Sequence, residues 1–290
     1  MTAGSRAATR GSETRAYLVA GIPCAVTAGA TVLEIVEATF GAFRCEAAGP
    51  QPYTLRVDEV DGRFAVVDPA GRARACDGEA EAVFATLEGL VRHVTDSLAG
   101  QGVYAIHAAS LARHGKGIVI CGPSGAGKTT LAMALLARGF GLLSDEFALS
   151  ASDGHTILPY HRGVHVRAGT VELVDALALI RERPHQPVSG GFRWTLAARE
   201  LEELFPSCLS GPVPLGYVVL LEPSAAGGRS SLEEVSKGTA AVELLRATTA
   251  ASTDFDGVLA RMAALVAGVP CLRLRAGRLE SSLELLEGLQ

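Results

Sequence analysis

The chain has 290 residues, 48% of them apolar and 5% aromatic, with a formal net charge of -5 and a pI near 5.8. That length leaves room for one large α/β unit or for a small domain ahead of a larger one. The acidic balance excludes a broad surface for nucleic acid or anionic lipid, which needs a surplus of Lys and Arg on one face, so neither is an expected partner. Among the cations, 23 arginines stand against three lysines, Lys116, Lys128 and Lys237. Six widely spaced cysteines, with no zinc-ligand spacing, read as buried reduced thiols. Arg6, Arg10 and Arg15 precede an uncharged stretch over 17–33 that mimics a leader or a membrane span. Gly21, Pro23 and Gly29 interrupt it, and a nucleotide site belongs with cytosolic ATP, so the expectation is a cytoplasmic protein.

Residues 1 to about 14 are small, polar and charged and read as a frayed terminus. Residues 16–26 read as a strand, 31–40 as a helix with Leu33, Val36 and Phe40 on one face, and 53–58 as a strand. Asp61-Gly62 predicts a hairpin turn into a strand over 64–67, and Asp68, Pro69 and Gly71 predict another turn. Helical spacing of Val83, Leu87, Leu90, Val91, Val94 and Leu98 predicts a helix over 79–98 that ends at Gly100. Together these describe a small α+β domain over residues 1–100.

From residue 103 short apolar strands alternate with helices, which predicts an α/β domain over 101–290. Strands are expected at 103–111, 117–121, 142–143 and 215–221. Helices are expected at 129–138, 170–181, 199–204, 239–247, 255–266 and 279–289. Residues 183–191 carry two prolines and two glycines and read as a mobile loop.

The stretch CGPSGAGKTT, residues 121–130, has the form G-x-x-x-x-G-K-T between a predicted strand and a predicted helix. In such a loop successive backbone N–H groups face a polyphosphate, the lysine adds a point charge and the hydroxyl reaches Mg²⁺. The helix N-terminus adds its dipole. Gly122, Pro123, Ser124, Gly125, Ala126, Gly127, Lys128, Thr129 and Thr130 are therefore the expected contacts to ATP, and Thr129 a ligand of Mg²⁺. Thr130 either contributes its hydroxyl or only starts the helix. Phosphoryl transfer also needs carboxylates, and GLLSDEF supplies Asp145 and Glu146 at the end of a strand expected beside the phosphate strand. Neighbours on an extended chain point to opposite sides, so only one of the pair, preferably Asp145, is expected to face the γ-phosphate. Both remain candidate metal ligands.

The stretch from His107 through Glu146 resembles the catalytic core of the HPr kinase/phosphorylase family, which shares its fold with phosphoenolpyruvate carboxykinases. It carries His107 15 residues before Gly122, a G-x-S-G-x-G-K-T loop, Arg138-Gly139, and an acidic pair that begins 17 residues after Lys128. VHVRAG retains Arg167 and Gly169 of that family's E-I-R-G-x-G signature but has His165 where a glutamate is expected, which puts a second metal site and phosphorolysis in doubt. The front 100 residues do not resemble the family's usual N-terminal domain. A divergent group of such kinases phosphorylates ribosomally made precursor peptides, notably lasso peptides, and this chain resembles that group.

The resemblance implies an ATP-dependent serine kinase acting on a peptide or small protein, with Asp145 as base and Glu146 holding the metal or its water, or these two roles exchanged, and His107 beside Asp145 or the transferring group. Arg167 by resemblance, and Arg193 by its place beside Gly190-Gly191, are candidates to neutralise transition-state charge. Trp194 is either an anchor for a ligand or a core residue. A kinase for a small hydroxylated metabolite and a nucleotide-binding switch or ATPase are the alternatives. A homo-oligomer is compatible with the sequence.

Overall fold

The computed structural model describes residues 11–47, 49–188, 191–223, 228–249 and 255–289. Internal contacts divide the chain into two units, Met1–Ser97 and Leu98–Gln290.

In the first unit, β1 (Glu13–Val19) and β2 (Ile22–Ala28) pair antiparallel around Ala20 and Gly21, both with positive φ. The single strand expected over 16–26 is thus a hairpin. An apolar run that continues through the turn hides it, and a glycine in the left-handed region makes it. The end of the expected frayed segment, Glu13 and Thr14, lies in β1, and residues 1–10 lie outside the described residues. Helix α1 (Ala30–Phe40) buries Val32, Leu33, Val36 and Phe40. Strands β3 (Arg44–Cys45), β4 (Tyr53–Val60), β5 (Arg63–Val67) and β6 (Ala73–Cys76) complete a sheet of order β3-β1-β2-β4-β5-β6. Between β4 and β5 the chain turns at Asp61-Gly62, both with positive φ. After β5, the Asp68 carboxylate accepts hydrogen bonds from the amides of Ala70 and Arg72, so this turn is held by its own side chain. Helix α2 (Glu79–Gly100) follows, and the division between the units falls inside it.

The second unit opens with β7 (Tyr104–Arg113) and β8 (Lys116–Cys121), a hairpin that leads into α3 (Lys128–Leu136), β9 (Gly141–Ser144), β10 (Phe147–Ser150) and β11 (Thr156–Leu158). Next come β12 (Val164–Arg167), α4 (Ala168–Leu173), a 3-10 turn at Asp175–Ile180, β13 (Gln186–Val188), β14 (Gly191–Leu196) and α5 (Ala198–Leu204). The chain closes with β15 (Val213–Pro223), β16 (Ser231–Glu234), α6 (Lys237–Ala247), α7 (Phe255–Ala267), β17 (Cys271–Ala276) and α8 (Leu279–Glu287). The main sheet has the order β11-β10-β7-β8-β15-β17-β16, with β9 also on β7, and β8, β15 and β17 are parallel. Their residues alternate between two cores. Ile118 and Ile120 face Leu131 and Leu135 on one side, while Val119 and Val218 face Leu244, Met262 and Leu265 on the other. Burial on both faces is why these strands read as continuous apolar runs. A second sheet, β12-β14-β13, carries Val164, Val166, Trp194 and Leu196 into the first of these cores.

Three local expectations change. The strand at 142–143 is not beside the phosphate strand: β9 pairs with β7, which lies between it and β8. The helix expected over 170–181 breaks at Val174, whose backbone is extended (φ -116, ψ 98), into α4 and the 3-10 turn. The segment over 183–191 contains β13, because pairing to β14 satisfies its backbone despite Pro187; residues 189–190 lie outside the described residues. All six cysteines are free, with Cys45 partly exposed and the others buried. Among the described residues, no helix is long and apolar enough to cross a membrane.

Candidate active site

The glycine-rich loop runs from the end of β8 to the first turn of α3. Gly122 lies so close to β15 that a Cβ there would fall 2.6 Å from the carbonyl oxygen of Leu221. Gly125 and Gly127 have φ of +80° and +96°, a region that favours glycine. The Lys128 side chain is 8% exposed and folds over the loop, where Nζ donates to the carbonyls of Gly122 (2.8 Å) and Pro123 (3.3 Å). Ala126 donates its amide to the Pro123 carbonyl and packs on the core. Gly122→Ala is expected to push the loop off β15 and destabilise the fold by about 1–3 kcal/mol, as overpacking does. Thermal unfolding checks this, and an unchanged melting temperature would contradict the close approach.

The acidic pair sits at an interruption in one strand. β9 and β10 both run antiparallel along the same edge of β7, with Ser144 opposite Ser110 and Phe147 opposite His107. Asp145 and Glu146 fall in the gap, and the Ser144 hydroxyl accepts from the amides of Glu146 (3.2 Å) and Phe147 (3.1 Å). The register of β9 on β7 also shifts by one residue at Leu143, just before this gap, and such irregularities re-aim the side chains that follow. Strict alternation holds only along a continuous strand, and here both carboxylates line one cavity, Asp145 against Thr129 at the start of α3 and Glu146 beside His107 and Arg162.

Thr129 Oγ1 donates to Asp145 Oδ2 at 3.1 Å, while Asp145 Oδ1 is buried with no hydrogen-bond partner in the protein. Burial, with Glu146 adding to it, pushes the Asp145 carboxyl up to about 6, against the pull of Thr129, Arg162 and Lys128. Glu146 lies 3.7 Å from His107 Nδ1 and 3.4 Å from the Arg162 guanidinium. Burial holds the His107 imidazole below its ordinary value, with Glu146 opposing and Lys128 and Arg162 adding to the effect of burial. Arg162, 9% exposed, is a site residue that the sequence did not point to, since nothing in its local pattern separates it from other arginines. The same holds for Thr170, whose hydroxyl meets that of Thr130 at 2.7 Å and ties α3 to α4.

Asp145, Glu146, His107 and Thr170 share a cavity of about 650 Å³ with Ser124, Gly125, Gly127, Lys128, Thr129 and Thr130 on one wall and His165, Arg167, Phe192 and Arg193 on another, and Arg162 reaches it only through Glu146. Of the residues singled out from sequence, Gly122, Pro123 and Ala126 shape the loop without lining the cavity. Trp194 is core, 6% exposed, with its indole N–H donated to the Arg183 carbonyl. His165 donates to or accepts from the Thr195 hydroxyl at 3.0 Å, and burial, with Arg162 and Arg193 nearby, pushes it down to about 3. A neutral imidazole so engaged is a poor replacement for the glutamate expected there. Arg138 pairs with Glu280 and Glu287 of α8, away from this cavity.

A magnesium ion fits this donor set. A buried carboxylate oxygen lacking a partner, a hydroxyl on its companion oxygen and a second carboxylate are hard oxygen donors, and Mg²⁺ is commonly held by one or two carboxylates plus phosphates. Thr129, Asp145 and Glu146 would hold it. Among the described residues there is no cluster of three or more His, Cys, Asp or Glu that would form an all-protein metal cage.

In class, the protein is a mixed α/β chain with a glycine-rich strand-to-helix loop facing two carboxylates. No protein-family model and no curated protein matches its sequence. Among solved structures it is similar to the HPr(Ser) kinase/phosphatase from Coxiella burnetii, with a TM-score of 0.31 and 14% identity over 64% of this chain and 92% of that one. So low a TM-score carries nothing about activity.

Proposed function

We propose that this protein is an ATP-dependent kinase that transfers the γ-phosphate to a serine hydroxyl of a peptide or small protein, of which a ribosomally made precursor peptide is one example. The observation that carries the reading is the Thr129–Asp145 contact, which sets a carboxylate against the first turn of the helix that follows the phosphate loop. The loop amides and Lys128 bind and orient the β- and γ-phosphates. Magnesium, held by Thr129, Asp145 and Glu146, supplies charge neutralisation when bound. Asp145 takes the proton of the serine hydroxyl as the new O–P bond forms and the β–γ bridging bond breaks. Arg162 and His107 orient Glu146.

The test is incubation with γ-labelled ATP, magnesium, a panel of serine peptides and a panel of hydroxylated metabolites. Label is expected in a peptide serine. Label only in a metabolite would replace this reading with a small-molecule kinase, and free phosphate alone would replace it with an ATPase.

A further inference from the structure

The second sheet has one apolar and one polar face, and the polar face is overcharged. Register pairs Arg167 with Arg193, His165 with Thr195 and Gln186 with Arg193, so these five residues share a face. Val166 and Trp194 point the other way, into the core. Arg167 and Arg193 both line the cavity, and neither forms an ion pair among the described residues. Arg193 donates to the neutral Gln186 Oε1 at 2.6 Å, and its Nε is buried without a partner. Like charges directly opposite each other on a sheet repel. Burial first, then Arg162 and Arg167, hold the Arg193 guanidinium below its usual value. The other cations of the site lie elsewhere: Lys128 over the phosphate loop and Arg162 against Glu146.

We propose that the phosphate acceptor carries a carboxylate beside its hydroxyl, gripped by Arg167 and Arg193 from the polar face of the β12-β14 pair. This rests on the phosphotransferase reading above. Two guanidinium forks carried by directly opposed residues on one face can grip a carboxylate, and the incoming anion supplies the negative charge that this face lacks. The nucleotide tail has its own cradle in the loop and Lys128, which leaves the arginine pair to the second substrate. The carboxylate has two sources, an acidic side chain next to the serine or the chain-terminal carboxylate of a final serine.

Peptides that differ only in this feature test the idea: a serine flanked by Ala, by Asp or by Asn, and a final serine with a free or an amidated terminus. For the wild-type protein, kcat/KM is expected to be roughly 10- to 100-fold higher for a carboxylate-bearing peptide, mostly through KM. The Asp and free-terminus arms separate the two sources. Arg193→Gln and Arg167→Gln should bring the ratio towards one, and Arg193→Lys should restore it in part. Equal transfer to neutral and acidic peptides would overturn the proposal. So would an equal loss for all peptides in Arg193→Gln, which would put the pair on the transferring phosphoryl group. Binding of the same peptides with Ala for Ser, followed by calorimetry, separates this proposal from the kinase reading. Carboxylate-dependent binding without transfer would sink the kinase reading alone, and neither binding nor transfer would sink both.

Discussion

Asp145→Asn is expected to stop phosphoryl transfer while making the ligand-free protein more stable at neutral pH. The carboxyl stands at about 6 in the folded chain against an ordinary 3.8, chiefly because burial disfavours its ionised form. Its folded value is raised, so its stabilising contribution is complete below pH ~4 and is lost as pH rises through 6. At ~1.4 kcal/mol per pH unit of displacement, the ionised carboxylate costs up to ~3 kcal/mol at pH 7.5. Asparagine removes that cost and still offers an oxygen to the Thr129 hydroxyl. Unfolding of the nucleotide-free protein should therefore show a gain of several degrees at pH 7.5 that vanishes towards pH 4. Transfer should fall by about 10²–10⁴-fold, the range for losing a general base. A variant that transfers phosphate at near-normal rate would remove the base assignment, and one with no gain at pH 7.5 would remove the burial argument.

Lys128→Ala is expected to lower transfer by about 10²–10³-fold, the loss that follows removal of one preorganised charge donor. Its structural cost is smaller. The two carbonyl contacts that Nζ makes are ordinary hydrogen bonds of about 1 kcal/mol each, so the variant should still fold cooperatively. Calorimetry with magnesium and an ATP analogue should show weakened binding, and Lys128→Arg should not rescue it, because a rigid fork does not replace a flexible point charge. Undiminished binding in Lys128→Ala would take the phosphate reading away from the loop.

Much of the cradle was legible because its requirements are local. Gly125 and Gly127 answer to the backbone conformation of their own loop, and Lys128 and Thr129 follow from their place at the start of α3. The pairing that aims the site is not local. Asp145 and Glu146 converge on one cavity only because β9 and β10 share the edge of β7 with a gap between them, and a neighbour-by-neighbour reading predicts opposite directions.

Composition, the G-x-x-x-x-G-K-T spacing and the alternation of apolar runs determined the α/β character, the loop and the identity of the acidic pair. Tertiary structure alone decided that Arg162 neutralises Glu146, that Thr170 meets Thr130, and that Arg167 lies opposite Arg193. The physical reason is one of range. Backbone conformation and helix starts depend on adjacent residues, whereas charge compensation and strand register depend on groups that only the fold brings within a few ångströms.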